Sequence, residues 1–244
     1  MKFYVVSCEV FARECARAAA NSPHIVHTSF QAFGLHDTPD ELRKKLQEEI
    51  DRSSGARFDY ILLVYGLCSG GTAELTARDT PLVITRAHDC ITLLLGSRHR
   101  YEREFREHPG TYYYSPGWIE RKDGEVRQGT IEAVKQAKAE RRFQEYVKKY
   151  GEDNARYLME QEGLWLANYS RAAFINVGLG DIENYRRFTR GVAESHGWSY
   201  EEIEGDTRLI ESLVRGEWDS GEFLIVKPGQ RTIQQVADGI MTVE

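Results

Sequence analysis

The first hundred residues alternate between short apolar runs and longer amphipathic stretches. The apolar runs predict strands at residues 2–7, 24–30, 58–65 and 81–85. Between them, apolar residues recur at helical spacing over residues 9–20 and 39–54. This order of strand, helix and strand predicts a parallel sheet with helices on both faces.

The middle of the chain interrupts this alternation. Residues 101–110 are charged and helical in pattern, residues 111–118 are aromatic, and polar helices are predicted at 130–150 and 154–168. Strands at 172–177, 199–204 and 223–226 then alternate with helices at 182–195 and 206–214. We therefore expect a doubly wound α/β fold with mostly parallel sheet, in which a helical insertion separates two Rossmann-like halves.

The same pattern predicts three segments along the chain. Residues 1–100 form an N-terminal Rossmann-like unit, residues 101–170 hold the aromatic segment and the helical insertion, and residues 171–244 form a C-terminal βαβ unit. The pattern does not distinguish one sheet with an insertion from two separate sheets.

Composition narrows the classes of function. The chain has 244 residues, of which 41% are hydrophobic and 29% charged, as is typical of soluble globular proteins. A net charge of −6 argues against binding to nucleic acid or to an anionic membrane. No apolar run approaches the roughly 20 residues needed to cross a bilayer, and the N-terminus lacks the features of a signal peptide. We therefore expect a cytoplasmic protein, and an oligomer stays open.

The four cysteines supply the main chemical signal. Cys8, Cys68 and Cys90 follow the first, third and fourth predicted strands, whereas Cys15 lies inside the first predicted helix. Because the carboxyl ends of parallel strands meet at one edge of a sheet, the first three thiols should converge where such folds bind ligands. Cys15 is interpreted as a small buried hydrophobic residue, and core packing is the competing interpretation for the other three thiols.

Three thiolates suit either an iron–sulfur cluster or a zinc ion. No CxxC pair is present, and structural zinc sites usually take paired ligands on short knuckles. We therefore favour a 4Fe-4S cluster held by Cys8, Cys68 and Cys90, with zinc as the alternative. Three cysteines would leave one iron of the cluster without a protein ligand. That iron could bind an oxygen of a small-molecule substrate and act on it as a Lewis acid.

Polar residues beside Cys90 indicate a site rather than a plain turn. His88 could transfer protons near neutral pH, and Arg86 could clamp a carboxylate or phosphate, so both are expected to face the open coordination position. Asp89 is predicted to cap a helix that begins at Cys90, and the helix N-terminus would lower the pKa of that thiol. In a metal-free alternative, Cys90 is a nucleophile activated by His88.

Glycines and aromatic residues could complete a cofactor pocket. Gly66, Gly70 and Gly71 surround Cys68 and would let backbone amides approach a cluster or an anion, although no P-loop or GxGxxG pattern is present. Tyr113 and Trp118 could line the pocket or attract a methylated amine, but alternating burial along a strand also explains consecutive tyrosines. A non-catalytic module that presents a corrinoid or methylamine is the second alternative, although the DxHxxG signature of corrinoid proteins is absent.

Three blocks resemble the motifs of an uncharacterised prokaryotic family that is labelled as a domain of unknown function. They are YGLCSGG at 65–71, PLVITRAHDCITLLLGS at 81–97 and PGTYYYSPGW at 109–118. Genes of this family often lie near corrinoid-dependent methyltransferases in anaerobes. The resemblance implies that Cys68, His88, Asp89 and Cys90 belong to the family pattern, and that a corrinoid protein or methyltransferase is a partner. It implies no activity.

A looser likeness concerns only the placement of the site. Quinolinate synthase and the 2-hydroxyacyl-CoA dehydratase subunits hold a four-iron cluster with three cysteines at the sheet edges of Rossmann-like units. The present chain is similar in that placement and shares no extended motif with either.

Overall fold

A computed structural model describes residues 1–122, 140, 143–166, 168–235 and 240–244. The predicted helix at 130–150 therefore lies largely outside the described residues. The strands are β1 Lys2–Cys8, β2 Ile25–Gln31, β3 Tyr60–Val64, β4 Leu82–Thr85, β5 Thr111–Tyr114, β6 Arg171–Asn176, β7 Ser199–Glu204, β8 Phe223–Val226, β9 Thr232–Gln234 and β10 Met241–Val243.

Helices separate most of these strands. They are α1 Ala12–Ala20, α2 Pro39–Ser53, α3 Cys90–Leu95, α4 Arg98–Glu107, α5 Pro116–Lys122, α6 Glu152–Leu166, α7 Ile182–His196 and α8 Arg208–Arg215. Short 3₁₀ turns lie at Glu9–Phe11, Leu35–Asp37 and Cys68–Gly70. Among the described helices, none has the length and apolar character that a membrane span requires.

The chain divides into two compact units. The first contains Met1–Glu104, Val177–Gly180 and Glu204–Glu244, and the second contains Phe105–Asn176 and Asp181–Ile203. This grouping differs from the three predicted segments, because β6, α7 and β7 join β5 in the second unit while α8 and β8 belong to the first. The apolar strand β8 pairs with β4, which draws the C-terminal part of the chain back to the first sheet.

The first unit is built on a five-stranded sheet with the order β2-β1-β3-β4-β8. Strands β1 to β4 are parallel, and β8 runs antiparallel to β4. From β1 the chain passes to β2 on one side and then returns to β3 on the other. The strand order therefore reverses between β1 and β3, which is the position where doubly wound folds bind ligands.

Helices cover both faces of this sheet, which explains why β3 and β4 are almost wholly apolar. Leu42, Leu46 and Ile50 of α2 recur every fourth residue and pack with Ile61 and Leu63 of β3. Helix α8 packs against β3, β4 and α1. Burying each such aliphatic side chain contributes about 1.5–3 kcal/mol to folding.

The second unit contains a three-stranded sheet with the order β5-β6-β7, in which β5 and β6 are parallel. Its core combines Tyr114 of β5 and Phe174 of β6 with Tyr185 and Val192 of α7. The fold is therefore mixed α/β, doubly wound and mostly parallel, as the sequence predicts. The two sheets are separate.

Candidate functional site

The thiol site lies in the first unit, at the reversal point of its strand order. Cys8 is the last residue of β1, and Ser7 just before it pairs with Val64, the last residue of β3. Tyr65 therefore follows β3 beside Cys8, and Cys68 lies three residues further along. Cys8 and Cys68 thus come from the two strands that border the crevice expected at this point.

The Cys68 turn has an unusual backbone. Cys68, Ser69 and Gly70 have φ values of 47°, 57° and 88°, all in the left-handed region. Each non-glycine residue in this region costs on the order of 1 kcal/mol. The amides of Gly70 and Gly71 donate to the carbonyls of Leu67 and Cys68, at 3.0 Å in both cases. These two glycines shape the turn, and their contact with a cofactor stays a prediction.

Close backbone packing holds the Cys68 turn against the segment that leads to Cys90. The Cys68 amide donates to the His88 carbonyl at 3.0 Å. A Cβ atom on Gly66 would lie only 2.7 Å from the Asp89 amide nitrogen, so only glycine fits there without a shift. These contacts place Cys68 beside the start of α3, where Cys90 is the first residue.

Asp89 fixes the start of α3, as predicted. Its Oδ1 accepts hydrogen bonds from the amides of Ile91 and Thr92 at 3.0 and 3.2 Å, and its Oδ2 accepts one from the Tyr101 hydroxyl at 2.9 Å. Burial raises the pKa of Asp89, and these three bonds oppose that effect by stabilising the carboxylate. The cap positions the backbone that carries Cys90.

The three thiols share one electrostatic neighbourhood. Burial raises the pKa of Cys68 to about 12 and that of Cys90 well above its usual range, and the charges of Asp89 and Cys8 add to both effects. Cys68 also raises the pKa of Cys90. The prediction that the helix N-terminus lowers the pKa of Cys90 is therefore wrong, because desolvation and negative neighbours outweigh the helix dipole.

Cys15 lies near the same cluster. It is 1% exposed, and its thiol donates to the Ser7 hydroxyl at 3.4 Å. Burial raises its pKa to about 12, and Glu14 and Cys8 add smaller contributions. The interpretation of Cys15 as a buried small residue is confirmed, but its proximity to Cys8 was not foreseen.

Sequence reasoning also missed Tyr65, which it treated as the last residue of a strand. Tyr65 is 4% exposed, and its hydroxyl has no hydrogen-bond partner among the described residues. Burial raises its pKa, and the charges of Cys8, Cys68 and Cys15 raise it further. The only signal in the sequence was its position, directly after a buried strand and before the glycine that permits the close packing.

Arg86 and His88 differ in their surroundings. The Arg86 guanidinium donates to the carbonyl of Phe223 at 3.3 Å and to the carbonyl of Met241, which ties the end of β4 to β8 and β10. His88 is exposed, and its backbone carbonyl accepts a hydrogen bond from the Cys68 amide. That Arg86 and His88 face the open coordination position of a bound cluster stays a prediction.

The aromatic segment forms part of the core of the second unit. Tyr112 and Tyr114 lie on one face of β5, and Trp118 meets the ring of Tyr114 at 4.8 Å in a perpendicular arrangement. Tyr113 points to the opposite face because side chains alternate along a strand. Packing in the core accounts for Tyr112 and Tyr114, and ligand binding by Tyr113 and Trp118 stays a prediction.

Within the part of the chain that the structure describes, no group of three or more His, Cys, Asp or Glu side chains is arranged to hold a metal ion.

Comparison with protein families identifies a family whose model covers most of the chain. Residues 30–214 match a protein family described as "Protein of unknown function (DUF1638)". The matched region includes Cys68 and Cys90, whereas Cys8 precedes it. No curated protein and no solved structure matches the chain. This result confirms the resemblance to an uncharacterised family, and the chain belongs to the DUF1638 family of proteins of unknown function.

Proposed function

We propose that this protein binds a 4Fe-4S cluster through Cys8, Cys68 and Cys90, with one iron left open to a small molecule. The observation that supports the proposal is the placement of these thiols at the end of β1 and in the segments that follow β3 and β4, three parallel strands of one sheet. Backbone packing brings the Cys68 turn to the start of α3, and the charge of Cys8 raises the pKa of both Cys68 and Cys90.

The electrostatics of the site favour a cationic ligand. The thiolates of Cys68 and Cys90 are unfavourable by themselves, because protein surrounds them and the charge of Asp89 raises the pKa of both thiols. Iron supplies the positive charge that reverses this balance, so binding would deprotonate the thiols. Raised thiol pKa values therefore agree with a ligand role for these cysteines, and they disfavour the alternative in which Cys90 is a nucleophile at neutral pH.

The lack of paired CxxC ligands on a short knuckle is the reason for proposing a cluster rather than zinc. Bonds of about 2.3 Å to a tetrahedral zinc ion would require the sulfurs to lie only about 3.8 Å apart. The described residues contain no such compact group. A four-iron cluster spreads its cysteine ligands over a larger volume, because each thiolate binds a different iron.

The open iron would supply Lewis-acid chemistry towards an oxygen of the substrate. His88 is exposed on the segment before Cys90, where it could donate or accept a proton. Delivery of a metal or one-carbon group to a corrinoid protein or methyltransferase is part of the same proposal. It is supported by the resemblance of the motifs.

Anaerobic reconstitution with ferrous iron, sulfide and a thiol reductant tests the proposal. Iron and acid-labile sulfide are measured per chain, together with the visible absorption and Mössbauer spectra. We expect about four irons and four sulfides in the wild-type protein. Cys8→Ser, Cys68→Ser and Cys90→Ser should each lose most of the iron. Cys15→Ser is the matched control, and we expect it to retain the cluster.

Three outcomes would contradict the proposal. If the wild-type protein takes up no cluster, or if the iron content is unchanged in Cys68→Ser and Cys90→Ser, these thiols are not cluster ligands. If Cys15→Ser also loses the cluster, four cysteines serve as ligands and no iron is open. A zinc titration of the metal-free protein is done in parallel. Tight binding of one zinc ion per chain, with no cluster formed on reconstitution, would favour zinc.

A further inference from the structure

The Tyr65 hydroxyl is a buried polar group that makes no hydrogen bond to the described residues. The residue is 4% exposed, and none of the described residues accepts or donates a hydrogen bond at its hydroxyl. A hydroxyl that is removed from water without a partner destabilises the folded protein. Such groups are rare in native structures, and one of their common explanations is a ligand that completes the bond.

The surroundings of this hydroxyl indicate which ligand it would meet. Tyr65 directly follows β3, and the register of β1 and β3 places it beside Cys8. Cys8 and Cys68 both pack against the hydrophobic cluster that contains Tyr65. The Tyr65 side chain and these two cysteines therefore belong to one cluster at the reversal point of the strand order.

We propose that the Tyr65 hydroxyl donates a hydrogen bond to a sulfur of the bound cluster, either a sulfide or a ligand thiolate, and thereby raises the reduction potential of the cluster. This inference rests on the proposed function and adds a residue that tunes the potential without binding iron. A hydrogen bond to sulfur stabilises the reduced cluster more than the oxidised one, because the reduced form carries the greater negative charge.

The protonation state of Tyr65 supports a donor role rather than ligation of iron. Burial disfavours a charged phenolate, so the phenol keeps its proton. A protonated phenol offers one donor hydrogen, and thiolates and sulfides are acceptors. Tyr65 is therefore a positioning and tuning residue, and the cysteines alone hold the metal.

Tyr65→Phe removes the hydroxyl and keeps the ring. We expect the reconstituted variant to retain the iron and sulfide content of the wild-type protein, while its reduction potential shifts to a more negative value. Tyr4→Phe is the matched control, because Tyr4 lies on the adjacent strand β1 and its hydroxyl donates to Glu49 at 2.7 Å. The potential of the Tyr4 variant should equal that of the wild-type protein.

A second readout uses the metal-free protein and does not depend on a cluster. Tyr65→Phe should raise the midpoint of thermal unfolding, because it removes an unsatisfied buried group. Tyr4→Phe should lower it, because it breaks a bond that the protein makes. Opposite signs in the two variants would show that the Tyr65 hydroxyl lacks a protein partner.

The two proposals fail in different ways. An unchanged potential in Tyr65→Phe with a full complement of iron overturns the role of Tyr65 and leaves the cluster proposal intact. A lower unfolding midpoint for metal-free Tyr65→Phe also overturns it, since the hydroxyl would then have a partner in the protein. A wild-type protein that binds no iron overturns both proposals.

Discussion

Gly66 and Asp89 approach each other so closely that a Cβ atom at residue 66 would lie 2.7 Å from the Asp89 amide nitrogen and 2.9 Å from its Cα atom. Both contacts are with backbone, which cannot rotate away as a flexible side chain can. This approach joins the turn that carries Cys68 to the start of the helix that carries Cys90. The distance between these two thiols therefore depends on the absence of one methyl group.

Gly66→Ala should lower the free energy of unfolding by about 2 kcal/mol or more, because the added carbon overlaps a backbone that is already packed. It should also reduce the iron content after reconstitution, because Cys68 moves away from Cys90. Urea unfolding and iron analysis measure the two effects. Gly55→Ala is the control: no atom lies within 4 Å of its Cβ position, and we expect a change below about 0.5 kcal/mol. Equal stability of the two variants would contradict this account.

Asp89→Ala should cost about 1–2 kcal/mol of stability, because it removes the acceptor of two amides at the start of α3. Asp89→Asn keeps one carbonyl oxygen that can cap the helix, so it should cost less. Thermal unfolding of the metal-free protein measures both. Asp79→Ala, at an exposed position, is the control and should leave the midpoint unchanged. If Asp89→Ala behaves like Asp79→Ala, the cap contributes nothing to the stability.

Stability should fall at alkaline pH, and Cys15 should account for part of the fall. Its thiol has a reference pKa of 9.0, which the folded protein raises to about 12. Above pH 9 the unfolded chain releases this proton while the native state keeps it, so stability is complete below pH 9 and decreases up to about pH 12. We expect Cys15→Ser to reduce the slope between pH 9 and 11 by up to about 1.4 kcal/mol per pH unit. Parallel slopes in denaturant titrations of the two proteins would refute a strongly shifted Cys15.

Alkylation distinguishes ligand thiols from a catalytic nucleophile. The raised pKa of Cys90 predicts that iodoacetamide modifies it at pH 7.5 about tenfold or more slowly in the folded, metal-free protein than in denaturant. Mass spectrometry of peptides after timed reactions gives the rate for each cysteine. Cys90 reacting faster in the folded protein than in the unfolded one would favour the nucleophile alternative.

Arg86→Lys should destabilise the first unit by about 1–3 kcal/mol, because an ammonium group does not reproduce the two bonds to the carbonyls of Phe223 and Met241. If Arg86 has only this structural role, the variant retains the iron content of the wild-type protein. Denaturant unfolding and iron analysis give the two results. Unchanged stability would mean that the side chain is free to meet a substrate, as the sequence suggested.

Local patterns in the sequence predicted much of the fold. The continuous apolar run before Gly66 forms β3. Leu42, Leu46 and Ile50, which recur every four residues, form the buried face of α2. Asp89 caps a helix, as its position predicts. These features depend on residues a few positions apart, so their physical cause is contained within a short segment. The thiols were likewise located at strand ends, because strand ends can be found from the apolar runs.

The sequence by itself determined most of the strands and helices, whereas β9, β10 and α5 were not predicted. Only the tertiary structure decided that β8 pairs with β4, that Gly66 meets Asp89, and that the Tyr65 hydroxyl is buried without a partner among the described residues. It also reversed the expected pKa shift of Cys90, since desolvation depends on which distant segments surround a group, whereas a helix terminus is a local feature. Strand pairing, close packing and burial are relations between segments far apart in the chain, and no local pattern specifies them.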